Sequence, residues 1–199
     1  NINHYLNFAA LKHVRSEENI TSAKYLLQTN SWNFIPKNLN KLKNLESIFS
    51  ISTDKAVNPS SLLGLSKRIM ELNLSKIKKK NSNLFISTTR FANVSFSNGS
   101  ILKLIIDRIH SKKDFGIPLN VKRFFITHEE AVSLCFKSML KLSDGFIIIP
   151  NKKILGAQIS IKTLLLKILK IMKINFKIEK KFIFLKKLSK INLINEKIL

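Results

Sequence analysis

The stretch Ser47–Lys80, SIFSISTDKAVNPSSLLGLSKRIMELNLSKIKKK, decides the fold. Its first seven residues, Ser47 to Thr53, form an apolar, β-branched run bounded by polar loops, the pattern of a buried strand. Asp54 to Ser61 contains Asn58-Pro59 and reads as a loop. From Leu62 to Lys80 the apolar spacing is helical, with Leu63, Ile69, Leu72 and Ile77 expected inward. Lys67, Arg68 and the lysines of 76–80 are expected outward or at the helix end, where cations suit the helix dipole.

The same alternation continues on both sides. His4 to Ala10 reads as a short buried strand followed by the loop Leu11-Lys12-His13, and Glu17 to about Lys43 is mostly helical, broken near Pro36. Leu84 to Phe91 is a third strand, 92–100 a loop rich in Asn and Ser, and Ile101 to Ile109 a helix. Thr127-His128-Glu129-Glu130 has the capping-box pattern and starts a helix running to about Lys141. Phe146 to Ile149 is a brief strand ended by Pro150. Strands alternating with helices predict an α/β fold, a partial Rossmann-type parallel sheet with helices on both faces. The loops at Leu11-Lys12-His13, Thr53-Asp54-Lys55 and Arg90 to Asn93 then fall on one sheet edge, where such folds bind ligands. The expected organisation is a domain over 1–150 and a basic, amphipathic helical segment over 151–199.

The 199 residues suffice for a domain with its own core, and 45% hydrophobic with 24% charged residues is a globular balance. The net charge of +23 comes from lysines spread along the chain and thickening towards its end, so compositional drift is favoured over a nucleic-acid site. Nucleic acid is not an expected partner. In the tail, Ile161, Leu164, Leu165, Ile168, Leu169 and Met172 recur at helical spacing opposite Lys162, Lys167, Lys170 and Lys173. A terminal helix packing on the domain, or a tail poorly ordered without a missing partner, is the favoured reading and peripheral membrane association the alternative. No apolar run is long enough to span a bilayer, and a cytoplasmic location is expected. The single cysteine, Cys135, is expected to be a core thiol. The four histidines show no metal-ligand spacing, so no metal is expected.

An Asp-Lys pair directly after a buried strand is expected to lose hydration, which favours the neutral forms while mutual attraction favours the ions. Such a pair can supply an acid and a base together; on spacing alone a surface ion pair at a strand end is the commoner explanation.

SISTDKAVNPSSLLGLSKRIMEL (Ser50 to Leu72) resembles the STDKA-x-NP…G-x-SKR segment of the polysaccharide-biosynthesis branch of extended short-chain dehydrogenases, the UDP-N-acetylglucosamine 4,6-dehydratase-like proteins. NFAALKHVRSE (Asn7 to Glu17), TTRFANVSFSNGSIL (Thr88 to Leu102) and KRFFITHEEAVSLC (Lys122 to Cys135) continue the resemblance in order. It implies an NAD- or NADP-dependent lyase acting on a UDP-sugar for surface glycan, and a homo-oligomer. It implies that Thr53 hydrogen-bonds the reacting hydroxyl, Asp54 is the acid for the leaving carbon-6 hydroxyl, and Lys55 is the base at carbon 5. Lys67, Lys12, His13 and Ser52 match cofactor-side positions, Arg90, Asn93, Ser100 and Arg123 substrate-side positions, and Asn30 a structural asparagine.

Three departures stand out. Leu63 takes the place of the tyrosine in the YxxxK motif, and Asn7-Phe8 is off pattern at the first strand end. No GxGxxG exists among the five glycines, Gly64, Gly99, Gly116, Gly145 and Gly156. The chain is therefore expected to be a truncated dehydratase domain that, alone, neither holds a dinucleotide nor turns over. The other classes weighed are a decayed homologue whose basic tail binds polyanions and an epimerase or oxidoreductase of the same superfamily.

Overall fold

The computed structural model describes residues 2–12, 19–33, 35, 39–111, 121–140 and 146–173. His13 and everything beyond Lys173 lie outside the described residues. In chain order, β1 (His4–Asn7) precedes α1 (Ile20–Leu27), a π turn (Gln28–Trp32), a 3-10 turn (Leu39–Lys41) and β2 (Ser47–Thr53). A second 3-10 turn (Asp54–Ala56) leads to α2 (Leu62–Lys80), β3 (Phe85–Phe91), β4 (Asn93–Val94) and α3 (Ile101–His110). Then follow β5 (Lys122–Arg123), β6 (Phe125–Ile126), α4 (His128–Met139), β7 (Ile147–Ile148), α5 (Lys152–Leu155), β8 (Ile159–Ser160) and α6 (Ile161–Ile171).

The chain forms two compact units, residues 1–92 with 127–154 and residues 93–126 with 155–199. In the first unit, four strands lie in the order β1-β2-β3-β7, all parallel. This is the α/β architecture expected from the alternation. β2 pairs along its whole length, from Ser47 with Phe85 to Thr53 with Phe91, so β2 and β3 end together. Ser47 to Ser50 are all buried, as in a strand covered on both faces. The core joins Ile48 and Ile86 of the sheet to Met70 and Leu74 of α2, with Leu84 beside them.

Local chemistry sets the boundaries. β1 is shorter than predicted because the Asn7 side chain turns back to accept from Ala9 N at 3.1 Å. Asn19 caps α1 by accepting from Thr21 N and Ser22 N, so that helix begins at Ile20. Ser61 caps α2 through Gly64 N, and α4 has the full capping box between Thr127 and Glu130.

The buried face of α2 differs from the predicted one. Gly64, Ser66, Lys67, Met70, Glu71 and Leu74 point inward, whereas Leu72 is 54% exposed. The apolar spacing misled because small and hydrogen-bonded polar residues, not the leucines, let this helix approach the sheet closely.

In the second unit, β4 pairs with β6 in parallel and β5 with β8 antiparallel. Leu102 and Ile105 of α3 form a core with Ile161, Leu165, Ile168 and Leu169 of α6. The apolar stripe of α6 is thus spent on packing within its own unit. No described helix is long and apolar enough to cross a membrane.

Candidate active site

The site is built where β2 ends. Thr53 is extended (φ −143°, ψ 155°) and caps the turn that follows, its Oγ1 accepting from Lys55 N at 3.4 Å and donating to Asp54 Oδ1 at 3.0 Å. Lys55 Nζ stands 3.3 Å from Asp54 Oδ1. Both side chains are 42% exposed, so the expected desolvation of this pair does not occur. The 3-10 turn lifts both groups off the sheet edge, while Ala56, fully buried, pins the turn from below. At this exposure the ion pair contributes at most about 1 kcal/mol. The turn leaves a carboxylate and an amine side by side and open to solvent at the carboxyl end of β2.

Lys67, expected on the solvent side, is only 3% exposed. Its Nζ donates to the Ile51 carbonyl at 3.0 Å and approaches Met70 Sδ at 3.8 Å. Burial pushes its ammonium down to about 8, and the Glu71 carboxylate opposes that drop. Ile51 lies two residues before Thr53, so this hydrogen bond sets the amine under the strand end that carries Thr53, Asp54 and Lys55.

Glu71 was not singled out from sequence. It is 1% exposed and gathers three groups: Ser52 Oγ donates to Oε1 at 2.7 Å, and Arg90 donates through Nε at 2.9 Å and through a terminal nitrogen at 2.6 Å. Arg68 adds a longer contact of 3.3 Å from the outer side. The bidentate partner holds Arg90 firmly protonated, above the ordinary arginine value. Removing one member of such a buried pair costs about 3–5 kcal/mol. The signal in the sequence was slight: Glu71 is the one acid in the helix Leu62–Lys80, four residues after Lys67. Ser52 and Arg90, placed by resemblance on the cofactor and substrate sides, are both committed to this carboxylate.

The loop after β1 is held by Asn30. Its amide accepts from Leu11 N and donates to Leu11 O, both at 2.9 Å, and donates to Ser66 Oγ at 3.1 Å. Asn30 is structural as expected, although it sits in the π turn rather than the sheet. Lys12 follows on this loop and is exposed, while His13 lies outside the described residues. Asn93, Ser100 and Arg123 belong to the second unit. There Asn93 Nδ2 donates to Phe124 O, Ser100 caps α3 through Lys103 N, and Arg123 is exposed, one terminal nitrogen donating to Lys122 O. Cys135 is a buried thiol pushed up to about 11 by desolvation, an inert core group. No cluster of metal ligands exists among the described residues.

Residues 1–192 match the family described as "Polysaccharide biosynthesis protein". The chain belongs to that family. The chain is 36% identical over 104 residues to the capsular polysaccharide biosynthesis protein CapD of Staphylococcus aureus, a match covering 50% of the chain and 17% of the relative. It is 37% identical over 87 residues to a UDP-glucose 4-epimerase of Rickettsia canadensis, covering 42% and 26% respectively. Among solved structures it superposes on the dTDP-glucose 4,6-dehydratase of Bacillus anthracis with a TM-score of 0.69 at 15% identity, covering 88% of this chain and 59% of that one. The chain therefore spans less than two thirds of the length of each, and the structural likeness shows the fold alone, a Rossmann-type parallel sheet.

Proposed function

We propose that this family member carries the proton-transfer side of a nucleotide-sugar 4,6-dehydratase, acting on a UDP-N-acetylglucosamine-like substrate for surface glycan. The supporting observation is the Thr53-Asp54-Lys55 turn, with its acid and amine 3.3 Å apart at the carboxyl end of a central parallel strand. Seating a sugar over the turn excludes water from both groups. As carbon 4 is oxidised, its hydroxyl proton passes through Thr53 Oγ1 to the Asp54 carboxylate; Lys55 then takes the proton at carbon 5, and Asp54 gives its proton to the carbon-6 hydroxyl, which leaves as water. Leu63 in place of a phenol leaves these steps to the turn.

A nicotinamide dinucleotide, NAD or NADP, supplies the hydride acceptor and donor when bound. Lys67 fits its ribose: a buried ammonium has three protons, of which the Ile51 carbonyl takes one and Met70 Sδ, more weakly, a second. No glycine-rich phosphate turn is present in this sequence, so the pyrophosphate cradle is not drawn from these residues. The proposal includes a cytoplasmic homo-oligomer.

Relatives named UDP-glucose 4-epimerase supply a second reading, in which the sugar is epimerised rather than dehydrated. Product analysis separates the two. The whole protein, given UDP-N-acetylglucosamine and NAD(P), should form a 4-keto-6-deoxy sugar, and Lys55→Ala should abolish it. A carbon-4 epimer as the sole product, or undiminished Lys55→Ala activity, would falsify the dehydratase.

A further inference from the structure

We propose that Glu71 is the positioning residue of this site, fixing the ends of β2 and β3 through Ser52 and Arg90 and serving as the counter-charge of Lys67. The inference rests on the reaction proposed above, and it reassigns Arg90 from ligand contact to scaffold.

The geometry leaves Glu71 little other work. Its carboxylate is buried; besides the longer contact from Arg68, its bonds go to Ser52, one residue before Thr53, and to Arg90, in register with Ser52 on the neighbouring strand. One side chain thus ties together two adjacent strand ends and the helix that presents Lys67. An arginine held bidentate at 2.6 and 2.9 Å is costly to divert towards a ligand. Of the elements packed on α2, β2 and the π turn contribute no charge. The 3-10 turn contributes Asp54 and Lys55, β3 contributes Arg90, and α1 contributes Lys24 and Tyr25. On α2 itself, Arg68 is the nearby cation and Glu71 the only acid. Glu71, one turn on from Lys67 along α2, is thus the carboxylate whose charge opposes the loss of the buried ammonium's proton.

Two variants of the whole protein test this. Glu71→Gln keeps the shape and removes the charge; Glu71→Asp keeps the charge and shortens the reach. The Lys67 titration is read from its 13Cε resonance, assigned by its loss in Lys67→Arg, and turnover is read with UDP-N-acetylglucosamine and NAD(P). In Glu71→Gln the Lys67 midpoint should fall by about one unit. In both variants kcat should fall, by up to about 100-fold, with KM within about threefold. If Glu71→Gln does not fold, Glu71→Asp decides alone. An unmoved Lys67 midpoint in Glu71→Gln, or wild-type kcat in Glu71→Asp, overturns the inference. So does a raised KM with kcat intact, which would return Arg90 to substrate binding. A wild type with the expected Lys67 midpoint but no turnover of nucleotide sugars removes the reaction while leaving the Glu71–Lys67 coupling standing.

Discussion

A Cβ placed on Gly64 would lie 2.6 Å from the carbonyl oxygen of Lys55, so α2 and the Asp54–Ala56 turn meet almost backbone to backbone. The carbonyl carbon and Cβ of Lys55 follow at 3.2 and 3.3 Å. Lys67 is on the same helix three residues further on, and its depth beneath the strand end depends on that close approach.

Gly64→Ala is therefore expected to push the turn and the helix apart. The obstructing atom is backbone and cannot rotate away, so the helix-propensity gain of alanine does not compensate. A loss of about 1–3 kcal/mol is expected in chemical denaturation, as for other overpacked positions. A variant as stable as the wild type would show that the contact relaxes without cost.

At Thr127 the capping box can be probed away from the site. Thr127 N donates to Glu130 Oε2 at 2.8 Å and Glu130 N to Thr127 Oγ1 at 3.1 Å. Thr127→Ala should cost about 1 kcal/mol, read as a shift in denaturation midpoint with unchanged slope.

Leu165→Ala distinguishes packing from membrane contact for α6. Leu165 is buried in the cluster with Leu102 and Ile105, so truncation should cost about 2–5 kcal/mol. Unchanged thermal stability would mean that the apolar stripe is not spent on this core.

What could be read from sequence divides along physical lines. β2 and α2 have the predicted bounds because strand run, turn residues and Ser61 cap are all local signals. The inward face of α2 was not legible: counting leucines cannot register that Gly64 and Ser66 permit close approach or that Glu71 and Ile51 satisfy buried charges. The exposure of Asp54 and Lys55 depends on a one-turn 3-10 helix, for which a three-residue segment carries no periodicity. Glu71 remained hidden because its partners, Ser52 and Arg90, are 19 residues away on either side.

The buried amine of Lys67 should leave a signature in the pH dependence of stability. Its value falls from 10.5 to about 8 on folding, so between these limits the unfolded chain binds more protons than the folded one. Stability must then rise with pH across that window. The cost of burying the ammonium is fully present below about pH 8 and is relieved as pH climbs towards 10.5. The shift corresponds to a gain on the order of 3 kcal/mol. Other lysines also lose charge there, so the comparison is with Lys67→Met, in which this contribution is absent. Between pH 7 and pH 10 the wild type should gain on Lys67→Met by a few kcal/mol in urea denaturation. Parallel curves for the two proteins would mean that Lys67 titrates as an ordinary solvated lysine, and the buried bond to Ile51 would have to be abandoned.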